Sequence, residues 1–95
     1  MPPKSKSYGT ALDGILGKAS DGVVMIVLPG CPHCSAAMAS LVDLGTPFVT
    51  VPMSALSQAT LDAMAVELSH RTYPRIFVKG RFLGGNTDLQ RLRRR

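Results

Sequence analysis

The chain has 95 residues, of which 45% are apolar and 18% charged, and a formal net charge of +5. That length supports one domain with a modest core, and its longest apolar run, Val23 to Leu28, is too short to span a bilayer. Two cysteines are too few to staple a secreted scaffold.

Residues 1–6 read as a disordered tail, with prolines and lysines and nothing to bury, and 7–95 as a single domain. The polar opening from Met1 to Ser7 does not resemble a secretory leader, so a cytoplasmic address is expected. From Ser7 a helix is expected, with Tyr8, Leu12, Ile15 and Leu16 on one face. Ser20-Asp21-Gly22 is a turn. The β-branched, unalternating run from Val23 to Leu28 reads as a strand covered on both faces. Pro29-Gly30 breaks it, and Pro32 suits the first position of a helix. Ala37, Leu41 and Leu44 would line that helix, with Gly45 at its C-terminal cap.

Pro47 opens a second strand, Phe48 to Val51, ended by Pro52. A strand–helix–strand unit of this kind crosses over between parallel strands and puts helix-start chemistry at a strand's carboxyl end. Ser57 can cap the next helix, whose apolar stripe is Leu61, Met64, Ala65 and Leu68. Ile76-Phe77-Val78, Lys79-Gly80 and Arg81-Phe82-Leu83 read as a hairpin ended by Gly84-Gly85. Thr87 and Gln90 resemble a capping box that opens a short last helix. The arginines at 91, 93, 94 and 95 lack a nucleic-acid motif or aromatic platforms. They read as cations suited to the end of that helix, fraying into water. The order α-β-α-β-α-β-β-α implies an α/β domain with a mixed four-stranded sheet flanked by helices.

The chemistry centres on Cys31-Pro32-His33-Cys34, which holds both cysteines of the chain. N–H groups and the macrodipole at a helix start favour a thiolate there. The thiolate is the attacking species in thiol–disulfide exchange. On this reading Cys31 attacks, and Cys34, one turn into the helix and more enclosed, resolves. Three blander readings stand beside it. A structural zinc site needs about four ligands, and His70 is the one histidine outside the motif. Both cysteines could be buried bystanders. A structural disulfide over so short a loop would restrict the unfolded chain little.

Arg71-Thr72-Tyr73-Pro74-Arg75-Ile76-Phe77 and Gly84-Gly85-Asn86-Thr87-Asp88-Leu89, taken with the cysteine motif, resemble the glutaredoxins over roughly residues 20–92. The resemblance implies a thioredoxin-like fold and glutathione as co-substrate, with no cofactor or metal bound. It implies a cis bond at Pro74, with Thr72 and Tyr73 holding the cysteine portion of glutathione antiparallel to the protein. Main-chain N–H groups at Thr87 and Asp88 would take the γ-glutamyl carboxylate, and the Asp88 carboxylate would meet the ammonium. Arg71, with Gln58 as a further candidate, would lie near the glycine carboxylate, and Gly85 would allow close approach.

Leu28 stands where the family commonly has a lysine, His33 replaces the usual aromatic, and Tyr73 replaces the usual valine. A histidine beside a helix start favours the thiolate, so a more oxidising couple is expected than with tyrosine there. The larger Tyr73 ring is expected to narrow the substrate groove or stack on it. The implied enzyme is a monomeric, dithiol, glutathione-dependent oxidoreductase acting on disulfide-bearing or glutathionylated proteins. Alternatives are a thioredoxin-like reductase fed by a flavoenzyme, and an iron–sulfur carrier, which the stiff Pro32 disfavours.

Overall fold

The central strand explains its own composition. The computed structural model describes residues 22–67 and 70–93. In it, β1 (Val23–Val27) pairs in parallel with β2 (Phe48–Pro52) on one side. On the other side it pairs antiparallel with β3 (Arg75–Val78). β4 (Arg81–Gly84) completes the order β2-β1-β3-β4. Both faces of β1 are covered, which is why the run shows no alternation. Val24 and Ile26 pack with Val51, Leu61, Met64 and Phe77. Val23 and Met25 pack on the opposite side with Ala37, Leu41, Ile76 and Leu89. β2 takes the sheet edge, and there Pro52 is accommodated as its last residue, opposite Val27. The strand thus includes the proline expected to lie just past it.

Helix α1 (Pro32–Asp43) crosses over between β1 and β2. It starts as the composition requires, with Cys31 in an extended N-cap conformation and Pro32 at the first helical position. It ends in a Schellman arrangement: Gly45 N–H bonds the Val42 carbonyl and Thr46 N–H the Leu41 carbonyl, both at 3.0 Å. Gly45 has φ +68, as this closure demands. Because the helix stops at Asp43, Leu44 turns out of the expected stripe and is 50% exposed.

Pro52 leads into a 3₁₀ turn (Met53–Ala55) and then α2 (Gln58–Glu67) on the other face. Ser57 Oγ accepts the Thr60 N–H at 3.1 Å, the expected cap. Leu61, Met64 and Ala65 are buried beneath α2. The hairpin turn has Lys79 at φ +52 and Gly80 at φ +79, two consecutive left-handed residues, as a tight two-residue connection needs.

The last helix, α3 (Asn86–Arg93), begins earlier than its sequence suggests. Its box is closed by Asp88, whose carboxylate accepts the Gly85 N–H at 3.0 Å, so Thr87 is inside the helix and is not its cap. An acid at the third helical position, able to reach back, outcompetes Thr87. Gln90 is used elsewhere: its Nε2 donates to Ser40 Oγ at 2.8 Å and Asn86 Oδ1 at 3.0 Å. Arg93 does not fray into water. It donates to Asp43 at 2.8 Å and to Ser40 at 3.1 Å, tying α3 to α1.

No helix among the described residues is long and apolar enough to cross a membrane. The expected tail over 1–6, the helix from Ser7, Leu68 and the final two arginines lie outside the described residues.

Candidate active site

Cys31 is half-buried at the carboxyl end of β1, and its sulfur accepts the Cys34 N–H at 3.2 Å. The thiol thus satisfies one of the donors that every helix start leaves open. Its S–H reaches the Tyr73 carbonyl at 3.8 Å, which joins the motif to the loop before β3. Cys34, on the first turn of α1, is 2% exposed. Burial pushes its thiol up from about 9 to about 11. A hydrogen bond with Cys31 and the nearby Cys31 charge add smaller shares to that rise, and a hydrogen bond with the Leu28 backbone opposes it. The two sulfurs are therefore unlike: one faces the loop at the surface, and the other is held protonated inside.

Tyr73–Pro74 is a cis peptide bond. Beside it lies an open cleft of about 210 Å³ lined by His33, His70, Thr72, Tyr73 and the run Gly85 to Asp88. One wall is the loop before β3; the other is the start of α3, whose first N–H groups have no partner within the helix. Asp88 is already engaged: besides its bond to Gly85, its other oxygen lies 3.8 Å from Arg91. Gly84, at φ +132, lies so close to Asp88 that a Cβ there would collide with the carboxylate.

The structure brings together His33, Thr72, Tyr73, Gly85, Thr87 and Asp88, with Cys31 at the Tyr73 carbonyl. Pro74 is buried behind them, part of the loop and not of the cleft lining. Two expected residues lie elsewhere. Gln58 is exposed at the start of α2, and its amide bonds Asp62 one turn on, at 2.8 Å. Arg71 is exposed and does not line the cleft. The Tyr73 ring does not stand free in the groove: it packs against the α2-side core and lies under the Arg75 guanidinium, 4.4 Å from ring centre to Cζ.

Two residues line the cleft without having been expected there, His70 and Asn86. The imidazole of His70 lies edge-on to Phe82, with ring centres 5.2 Å apart, and its Nε2 is 3.2 Å from Thr72 Oγ1. Among the described residues no three His, Cys, Asp or Glu side chains gather as a metal site.

The family model described as glutaredoxin matches residues 23–83. Mouse "Glutaredoxin-2, mitochondrial" is 34% identical over 90 residues, covering 92% of this chain and 58% of that protein. The curated relatives are longer: the chain spans 30 to 63% of their lengths. Among solved structures, wheat glutaredoxin superposes with a TM-score of 0.73 at 28% identity, covering 86% of this chain and 77% of that one. A buckwheat glutaredoxin–glutathione complex gives 0.74 at 23% identity, over 88% and 79%, a likeness of fold.

Proposed function

We propose that this chain, which belongs to the glutaredoxin family, is a glutathione-dependent thiol–disulfide oxidoreductase working through Cys31 and Cys34. The observation that carries this reading is the asymmetry of the two sulfurs, one at a helix start facing the Tyr73 carbonyl, the other buried and pushed up to about 11.

The Cys31 thiolate attacks the glutathione sulfur of a mixed disulfide. A Cys31–glutathione bond forms, the original S–S bond breaks, and the departing thiolate takes up a proton. A second glutathione thiolate then attacks the bound glutathione sulfur, releasing glutathione disulfide and the Cys31 thiolate. With a protein disulfide, Cys34 loses its proton as it attacks the Cys31 mixed disulfide, leaving a Cys31–Cys34 bond and a reduced substrate thiol. Two glutathiones later return both cysteines to thiols. Burial favours the neutral thiol at Cys34, so it does not compete for the first attack.

The cleft suits a peptide of glutathione's charge pattern. Its α3 wall offers main-chain donors for a carboxylate, and Asp88 an acceptor for an ammonium. That a buckwheat family member forms a glutathione complex supports the choice of ligand. The test is an NADPH-coupled assay with glutathione, glutathione reductase and a small glutathione mixed disulfide. Turnover that vanishes in Cys31→Ser is expected; turnover retained by that variant overturns the proposal.

A further inference from the structure

Arg75 is the one charged side chain of the sheet to be buried among the described residues, at 4% exposure. A guanidinium taken from water must have its N–H groups met. Here Nη1 donates to the Leu61 carbonyl of α2 at 3.2 Å, and Nε to the Thr72 carbonyl at 3.4 Å. Its face covers the Tyr73 ring at 4.4 Å, a cation–π arrangement. One residue therefore grips α2, the loop carbonyl at 72 and the ring at 73 together.

The grip on Thr72 has a consequence at Tyr73, because the carbonyl of one and the N–H of the other belong to the same planar peptide unit. That unit is trans. In a trans unit the two groups point in opposite directions. Drawing the Thr72 carbonyl toward the buried guanidinium sends the Tyr73 N–H the other way, to the side where Thr72 and Tyr73 line the cleft. The Tyr73 carbonyl meanwhile faces Cys31. The two main-chain groups of residue 73 are thus set for a strand-like ligand, the N–H through the hold of Arg75 on the Thr72 carbonyl and the carbonyl next to the Cys31 sulfur.

We infer that Arg75 is a positioning residue, which aims the Tyr73 N–H at a backbone carbonyl of a peptide-bearing disulfide and so favours such disulfides over small ones without peptide groups. This rests on the function proposed above. Lysine cannot replace it, since a point charge lacks the planar fork that spans Leu61 and Thr72.

The experiment is single-turnover oxidation of the reduced full chain, with no free glutathione present. The oxidants are glutathione disulfide and bis(2-hydroxyethyl) disulfide in parallel, and the product is quenched with an alkylating reagent and read by mass spectrometry. In each case the protein dithiol becomes a disulfide and the oxidant becomes two thiols. Arg75→Met keeps the bulk and burial; Arg75→Lys keeps the charge and serves if the Met variant fails to fold. With glutathione disulfide, either variant is expected to raise the half-saturating concentration roughly five- to tenfold, as for one lost hydrogen bond. With the small disulfide the rate should stay within about twofold, as should the alkylation rate of Cys31 by iodoacetamide. Equal losses on both disulfides, or none on either, overturn the inference. A wild-type protein that does not distinguish the two disulfides would instead refute the function on which it rests.

Discussion

Gly84→Ala tests how the wall of the cleft opposite the cysteines is built. Gly84 sits at φ +132, and an added Cβ would strike the Asp88 carboxylate, with Asp88 Cβ at 3.0 Å behind it. The backbone conformation alone costs a side chain about 1–3 kcal/mol. Displacing the carboxylate also breaks its bond to the Gly85 N–H, a cap worth about 1 kcal/mol. The expected loss is about 2–4 kcal/mol, or roughly 10–25 °C in melting temperature for a domain of this size. Urea unfolding of wild type, Gly84→Ala, Asp88→Ala and the double variant separates the two parts. Asp88→Ala removes the colliding carboxylate and leaves only the 3.0 Å Cβ contact. The double variant should therefore be about 1 kcal/mol more stable than additivity predicts. Strict additivity, or a Gly84→Ala loss below about 1 kcal/mol, would refute the account of this corner.

Cys34→Ser should keep turnover of glutathione mixed disulfides and lose most reduction of protein disulfides, both read in coupled assays; full protein-disulfide activity in the variant contradicts a resolving role. The Cys34 thiol, raised from about 9 to about 11, holds its proton more tightly in the folded state. Its stabilising contribution is complete below pH 9 and declines as pH rises toward 11, by up to about 3 kcal/mol, when the reduced protein is unfolded beside Cys34→Ala. A constant difference between the two across that range would count against it. His33→Tyr should make the Cys31–Cys34 couple more reducing in a glutathione redox titration, and an unchanged or more oxidising potential rejects the role given to His33. Ser40→Val should destabilise by about 1–3 kcal/mol, because Gln90 and Arg93 both donate to that hydroxyl; a neutral result in thermal unfolding would show that the contact does not bind α3 to α1.

What could be read along the chain was what neighbours in sequence decide. The cysteine spacing, Pro32 at a helix start, Gly45 at its end and the Lys79-Gly80 turn are local arrangements, and each is found in place. Thr87 misled because two local boxes overlap. Asp88, three residues after Gly85, closes the earlier one, and no periodicity ranks a glycine-capped box above a threonine-capped one. Arg75, His70 and Asn86 were illegible for another reason. Arg75 reads as an ordinary strand cation until Leu61, fourteen residues away, supplies a carbonyl. His70 acquires its place from Phe82 and Thr72, and Asn86 from facing the loop before β3. A buried serine on the apolar face of α1 was the available hint of a polar contact, and its partners lie fifty residues on.

The site draws on two helix starts that line one cleft, and each start is occupied by a different kind of hydrogen-bond acceptor. At α1 the open N–H of Cys34 is met by the Cys31 sulfur; at α3 that of Gly85 is met by the Asp88 carboxylate. The dipole of α1 therefore acts on a sulfur whose charge is lost and regained during exchange, whereas Asp88 caps its helix and leaves the remaining α3 donors for a ligand. Such a division works only if the two helices keep their relative position. Leu89 packs with Ala37 and Leu41, and Ser40, Asp43, Gln90 and Arg93 form a polar seam beside them. Apolar packing alone tolerates sliding, while directed bonds of 2.8 to 3.1 Å fix the register. Through Gln90, which also bonds Asn86, the seam reaches the cleft wall on α3, so loosening it should raise the half-saturating concentration of substrate and leave Cys31 alkylation unchanged.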